Sequence, residues 1–285
     1  MINYKIGLRK LKPIIICILA LEFLIQAIPH NDPKVRIIGH PTIVLDPGHG
    51  GQDHGAKGSR SKEKDINLLV ALRLKALISY YIPEAVVILT RETDEFIPLN
   101  HRTEIANSNQ ADLLISLHCN SNTCGSVQGA EAFIMGSYKS EDNLMIAARE
   151  NLTDQNTNST EEFNLDEDFI FLNQLQSHTQ TKSLEFAENC IKELSLVHPG
   201  GSREVKQAGF VVLWKATMPS VLLEMGYINN IKDEDFLLSE EGQVFIASSM
   251  VKAILRFFEQ KTQEISNASI PIQFNEKKRS TKTAN

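Results

Sequence analysis

The sequence predicts an α/β fold in a single domain, with strands covered on both faces and helices between them. Three observations predict it. Six short runs rich in aliphatic and β-branched residues recur along the chain, several of them continuously apolar rather than alternating, as in strands buried on both sides. Between these runs, apolar residues recur at helical spacing, which implies βαβ units. The 285 residues, 42% hydrophobic and 22% charged, are ample for one sizeable core.

The elements follow in order. Thr42–Asp46 (TIVLD) reads as the first strand and ends in Pro47-Gly48-His49-Gly50-Gly51, a stretch that only loop backbone accommodates. A helix over Asp65–Tyr81 follows, with Ser61 as a candidate N-cap. Further strands are read at Ala85–Arg91, Ala111–His118, Ala130–Met135, Gly209–Leu213 and Val221–Glu224, and helices at Ser183–Leu194 and Gln243–Phe258. Residues 137–182 interrupt this rhythm. They hold nine acidic residues against Lys139, Arg149 and Lys182, and they read as an insert with short helices near Leu144–Leu152 and Phe169–Gln176 around a polar loop.

The two ends differ from the body. Lys5, Arg9, Lys10 and Lys12 precede an apolar run, Pro13–Ile28, broken by Glu22 and Gln26. That arrangement predicts an export signal over residues 1–27, or alternatively an uncleaved anchor, and places the protein in the periplasm or at the inner membrane. From Lys261 the chain is polar, with five basic and two acidic residues, and reads as a disordered basic tail over 261–285, leaving 28–260 as the domain. The net charge of −6 becomes −9 without the signal, since four basic and one acidic residue leave with it. An acidic balance argues against nucleic acid as a partner, because phosphate contact needs a basic face. Cys119, Cys124 and Cys190 allow at most one bridge; Cys119 and Cys124 are near enough in sequence to pair, and buried free thiols are the alternative.

Function in open α/β sheets gathers at the carboxyl ends of strands. His49 follows the first strand, Glu63 opens the first helix, His118 closes LLISLH, and Glu224 closes VLLE. Two His and a carboxylate with an open fourth position are a catalytic zinc set, and a further Glu beside them serves as general base. Each has a plainer reading: a turn residue at His49, a core histidine at His118, a dipole-favoured charge at Glu63. Glu224 is hardest to explain plainly, because a carboxylate ending an apolar strand is costly to bury without a partner.

These residues sit in blocks that resemble a known family. LDPGHGGQDHGAKG, EKDINL, ILTRETDEFIPLNHR, ANSNQADLLISLHCNS and PSVLLEMGYINN, in order from about Thr42 to Phe258, resemble the zinc-dependent N-acetylmuramoyl-L-alanine amidases of the amidase 3 type. The resemblance implies a mixed, largely parallel sheet of about six strands flanked by helices. It implies zinc as cofactor, with His49, Glu63 and His118 as ligands and Glu224 as the catalytic carboxylate. The expected reaction cuts the amide between N-acetylmuramic acid and L-alanine in peptidoglycan or muropeptides, in wall remodelling and cell division. Asn120, two residues beyond His118, is a candidate substrate hydrogen-bond donor or else a strand-end turn residue. Arg91, Asp94 and Arg102 read as a structural salt-bridge network, and His54 as a solvent-facing loop residue.

In regulated members of that family, an equivalent insert carries a helix that covers the zinc until an activator protein moves it. Residues 137–182 resemble such inserts, most closely at AARENLTD, so Glu161, Glu162 or Glu167 is expected to fill the open zinc position at rest, against the alternative of a solvated acidic loop. Two other functions stay open at this stage. Ser59-Arg60-Ser61-Lys62 satisfies the S-x-x-K pattern of penicillin-binding proteins, which makes Ser59, with Lys62, a candidate second nucleophile for a penicillin-sensitive D,D-carboxypeptidase activity. The other is a non-catalytic peptidoglycan-binding module.

Overall fold

A computed structural model describes residues 39–136, 141–152 and 177–268. Six strands form one sheet in the order β2-β1-β3-β6-β4-β5: β1 Thr42–Pro47, β2 Val86–Leu89, β3 Leu113–Asn120, β4 Ala130–Met135, β5 Ser202–Ala208 and β6 Ser220–Tyr227. Strands β2, β1, β3 and β6 run parallel; β4 and β5 run parallel to each other and antiparallel to β6. The sheet is therefore mixed and largely parallel, as expected. Every residue of β3, β4 and β6 is buried, the property their unbroken apolar runs predict.

Six α-helices accompany the sheet among the described residues: α1 Glu63–Tyr81, α2 Leu99–Ser108, α3 Glu141–Asn151, α4 Ser177–Ser195, α5 Ile231–Leu238 and α6 Glu240–Ala268. Helix α1 begins two residues earlier than its apolar spacing suggests. Its N-cap is Lys62, with no side-chain cap, while the Ser61 hydroxyl donates instead to Glu234. Helix α6 continues to Ala268, past the point where polarity suggests the domain ends. The expected signal over 1–27, the short helix near Phe169–Gln176 and the tail beyond residue 268 lie outside the described residues. Among those described, no helix is long and apolar enough to cross a membrane.

Two elements were not legible and one was misplaced. Helix α2 has few apolar residues and buries Arg102 and Thr103 in their stead. Helix α5 is capped by Asn230, whose side chain accepts from the backbone of Lys232 and Asp233. The strand expected at Gly209–Leu213 is a 3₁₀ turn over Val211–Leu213, packed into a core with Phe133, Ala147, Phe210 and Trp214. The paired strand is the preceding SREVKQA, at the sheet edge, where one open side tolerates charge. The three described cysteines are free; Cys119 and Cys190 are buried and Cys124 is exposed, so no bridge joins Cys119 to Cys124.

Candidate metal centre

The parallel part of the sheet delivers β1, β3 and β6 to one rim. His118 and Glu224 are register neighbours on β3 and β6, and Glu224 is in turn opposite Glu131 on β4. His49 follows β1 in the left-handed region at φ 61°, a conformation that costs a non-glycine residue about 1 kcal/mol or more and persists only where surroundings enforce it. The enforcing contacts are visible. Arg102 donates to the backbone oxygens of Pro47 and His49, and Arg91 to those of Pro47 and Gly48. Lys64 bonds Gly51 O and Asp94, whose other oxygen accepts from Gly51 N. Arg91, Asp94 and Arg102 are thus structural, though they clamp the loop backbone rather than one another. Arg102 also pairs with buried Asp46 at 2.8 Å.

Glycine is required at two places here. A Cβ on Gly48 would lie 2.3 Å from the His118 ring, and one on Gly55, at φ 63°, would lie 2.5 Å from both the His49 ring and Glu63 Oε2. The two histidines therefore fit only because the backbone beside them carries no side chain.

His49, Glu63, His118 and Glu150 bring four donor atoms within 4.8 Å of one another, all four residues buried. His49 Nε2 lies 3.1 Å from Glu63 Oε1 and 3.0 Å from Glu150 Oε2; His118 Nδ1 lies 3.0 and 3.1 Å from the same two oxygens. His49 Nδ1 meets Asp53 Oδ2 at 2.7 Å, and since a carboxylate only accepts, the ring's other nitrogen is left to present its lone pair. Glu63 is fixed by the backbone N–H groups of Ala56 and Cys119. His49 Nε2 has no hydrogen-bond partner despite its two close carboxylates. Four of the separations are 3.0–3.1 Å and the whole set lies within 4.8 Å, and imidazole nitrogens with carboxylate oxygens are the donors a divalent cation takes, so the chemistry of the set fits such an ion.

The electrostatics agree. Burial disfavours protonation of His118, but the carboxylates of Glu150 and Glu63 outweigh it and raise its pKa to about 9. Burial opposes the charged form of His49 likewise, and Glu63, Asp53 and Glu150 reverse that. A cation binding there displaces protons from both rings. Glu224 is fully buried and neither carboxylate oxygen has a hydrogen-bond partner; Arg149 Nη2 approaches at 3.7 Å. Burial, then the charge of Glu150, push its pKa up to about 8 against the opposing pull of Arg149 and His118. That is a carboxyl group poised to exchange a proton near neutral pH.

Glu150 escaped the sequence reading. Helix α3 buries Asn143, Ala147 and Glu150 along one stripe, and Asn151 ties its end to Gly209 O and Val211 N. The neighbouring Arg149 reaches Ser121, Asn120 and both acids, Glu150 and Glu224. The acid from the insert that closes the donor set is thus Glu150, on the helix expected over Leu144–Leu152; Glu161, Glu162 and Glu167 lie outside the described residues. The usable signal for Glu150 was an acid on the same face as Ala147. Asn120 is buried, gives its amide hydrogen to Glu131 at 3.0 Å and accepts from Ser121 N, so in this state its side chain is engaged within the fold. His54 is half-buried rather than solvent-facing and stays outside the cluster.

The S-x-x-K pattern has a structural explanation. Ser59 donates its hydroxyl to Glu234, as Ser61 does, and Arg60 N donates to the same carboxylate, while Lys62 is exposed at the start of α1. These groups fasten the loop carrying Asp53 and Gly55 to α5; the hydroxyl of Ser59 is turned to an acid, not to the lysine that would activate it.

The family model described as N-acetylmuramoyl-L-alanine amidase, Amidase_3, matches residues 43–256. The chain is similar to N-acetylmuramoyl-L-alanine amidase AmiA of Escherichia coli (strain K12), 33% identical over 235 residues and covering 80% of each chain. It is 32% identical over 219 residues to AmiC of Escherichia coli O6:H1, covering 76% of this chain and 52% of that one. Among solved structures, the CwlD amidase of Clostridioides difficile in complex with the GerS lipoprotein aligns with a TM-score of 0.58 at 28% identity, over 77% of this chain and 99% of that one. AmiC2 of Nostoc punctiforme aligns with a TM-score of 0.53 at 27% identity, over 79% and 98%.

Proposed function

The chain belongs to the Amidase_3 family of N-acetylmuramoyl-L-alanine amidases, and on that premise we propose that it uses zinc to hydrolyse the amide joining N-acetylmuramic acid to L-alanine in peptidoglycan. The observation that carries this reading is the buried, unbonded carboxylate of Glu224 on the strand beside the four-donor cluster. His49, Glu63 and His118 would hold the ion, the two-His, one-carboxylate set of catalytic zinc sites. When bound, zinc supplies a Lewis acid that polarises the scissile carbonyl and makes water nucleophilic near neutral pH. Glu224 takes the proton from the attacking water and passes it to the departing amine of L-alanine. Asp53 keeps the His49 ring oriented, and the dry walls of β3 and β6 keep Glu224 basic enough to act. Withdrawal of Arg149 would free acceptor capacity on Asn120 Oδ1, while its amide nitrogen donates to Glu131.

At rest Glu150 holds the fourth corner of the donor set and Arg149 stands against Glu224, so α3 obstructs both halves of the chemistry. We read α3 as an internal inhibitor that an activating protein displaces. The CwlD structure in complex with a lipoprotein supports the general idea that a partner acts on such a domain. Export to the periplasm rests on the basic and apolar pattern of residues 1–27 and on the cell-wall substrate; a role in cell division is the physiological setting proposed.

Two experiments test the reading. Chelation should abolish release of stem peptides from defined muropeptides, and zinc should restore it, followed by mass spectrometry of the products; release that persists in the fully stripped protein would sink the metal mechanism. Asp53→Asn should weaken zinc binding about 10–100-fold in a competition titration, because it removes the carboxylate that orients His49. Unchanged affinity would show that the loop alone sets the ring.

A further inference from the structure

A cavity of about 1040 Å³ opens beside the metal centre, with Asn120, Arg149, Arg203, Glu204, Lys206 and Tyr227 among its walls. Its position follows from the sheet. Because β4 and β5 run against β6, their amino-terminal ends lie next to the carboxyl end of β6, so the cavity leads from the Glu224 rim across β4 to the edge strand. Asn120 and Tyr227 are register partners at the near end, and Arg203 and Lys206 stand on β5.

The far end carries positive charge in a defined place. Lys206 Nζ lies 2.9 Å and Arg203 Nε 3.5 Å from one oxygen of Glu131, a carboxylate with no exposure, while the two cations are themselves 28% and 45% exposed. Glu131 keeps them in position from below. A lysine and an arginine together have more N–H donors than that oxygen, the Tyr227 hydroxyl beside Arg203 and the Phe133 ring beneath Lys206 can engage, and both residues line the cavity. Arg149, the third cation, is already engaged with Glu150.

Resting on the amidase reading above, we propose that Arg203 and Lys206 form a subsite that binds a carboxylate of the substrate's stem peptide, so that this cavity takes the peptide arm and not the glycan arm. The chemistry of the two arms decides between them. The glycan beside the scissile bond is uncharged, whereas the peptide carries carboxylates. Crossing from β6 to β5 spans roughly 10 Å at the usual strand spacing. An extended chain covers that distance in about three residues, which places the recognised anion on the second or third residue beyond the bond. The two sources are the α-carboxylate of a γ-linked glutamyl residue and the peptide's terminal carboxylate.

The test is equilibrium binding to the full chain of an N-acetylated alanyl-γ-glutamyl tripeptide in three forms: both carboxylates free, the glutamyl carboxylate amidated, and the terminal carboxylate amidated. One amide form should bind about tenfold or more weakly than the free acid, and that form identifies the carboxylate. Arg203→Gln and Lys206→Gln should each lose most of this preference, and Lys206→Arg should retain it. A merely structural role for the two cations would weaken all three peptides alike. Equal binding of the three forms by the parent, or a preference unaltered in both glutamine variants, overturns the proposal. Acid-selective binding by a protein that hydrolyses no muropeptide, even with zinc and Glu150→Ala, supports the subsite and overturns the amidase reading instead.

Discussion

Glu224→Gln is expected to bind zinc as the parent does and to release stem peptides about 10²–10⁴-fold more slowly. The carboxylate is positioned but unbonded, so the amide replaces it without breaking a hydrogen bond of the fold. What it removes is the capacity to take and return a proton. The raised pKa, near 8, belongs to the state in which Glu150 is close; the like charge of Glu150 and burial both push it up. Product analysis on defined muropeptides, with zinc content measured on the same samples, checks the result. A glutamine variant as fast as the parent would rule out this carboxylate as the proton carrier.

Glu150→Ala is expected to raise the rate at saturating zinc by about 10–100-fold, the effect of deleting one or two charge-assisted contacts that compete with substrate. The parent's apparent affinity for substrate is lowered by the fraction of molecules whose fourth corner is occupied. Alanine cannot fill that corner, yet it leaves Asn143, Ala147 and Asn151 to hold the helix, so the variant separates the ligand from its support. An unchanged rate with both proteins fully loaded would mean that Glu150 is no obstacle.

The part of the site on β1, β3 and β6 was legible because the ends of buried apolar runs are marked in sequence. His49 follows β1, and His118 and Glu224 end apolar runs, although β3 continues to Asn120 and β6 to Tyr227; a buried strand leaves such a polar residue few places to go. Glu63 was visible only as the acid at the start of a helix, and its placement depends on a turn fixed by Gly55 and Ala56. Glu150 was hidden for a physical reason. It sits in a helix whose buried face is small and partly polar, and an acidic composition around it imitates a solvated surface. Glu131 was overlooked inside AEAFIM, although an acid within a buried strand has to meet cations, and Arg203 and Lys206 are those cations. The misplaced fifth strand has the same root: hydrophobicity marks burial, and the 3₁₀ turn is buried while the edge strand is not.

Apart from the polar contacts of Arg149 and Glu150, few groups of helix α3 are anchored in the core. Its fully buried apolar anchor is Ala147, whose methyl contributes about 0.8 kcal/mol, supplemented by partly buried Ile146 and the side-chain hydrogen bonds of Asn143 and Asn151. None of these groups belongs to the proposed reaction. On the proposed reading of α3 as an inhibitor, point changes at them would set how readily it is displaced, leaving turnover once displaced as it was. Restraint, if α3 supplies it as proposed, would then be adjustable separately from the chemistry it restrains.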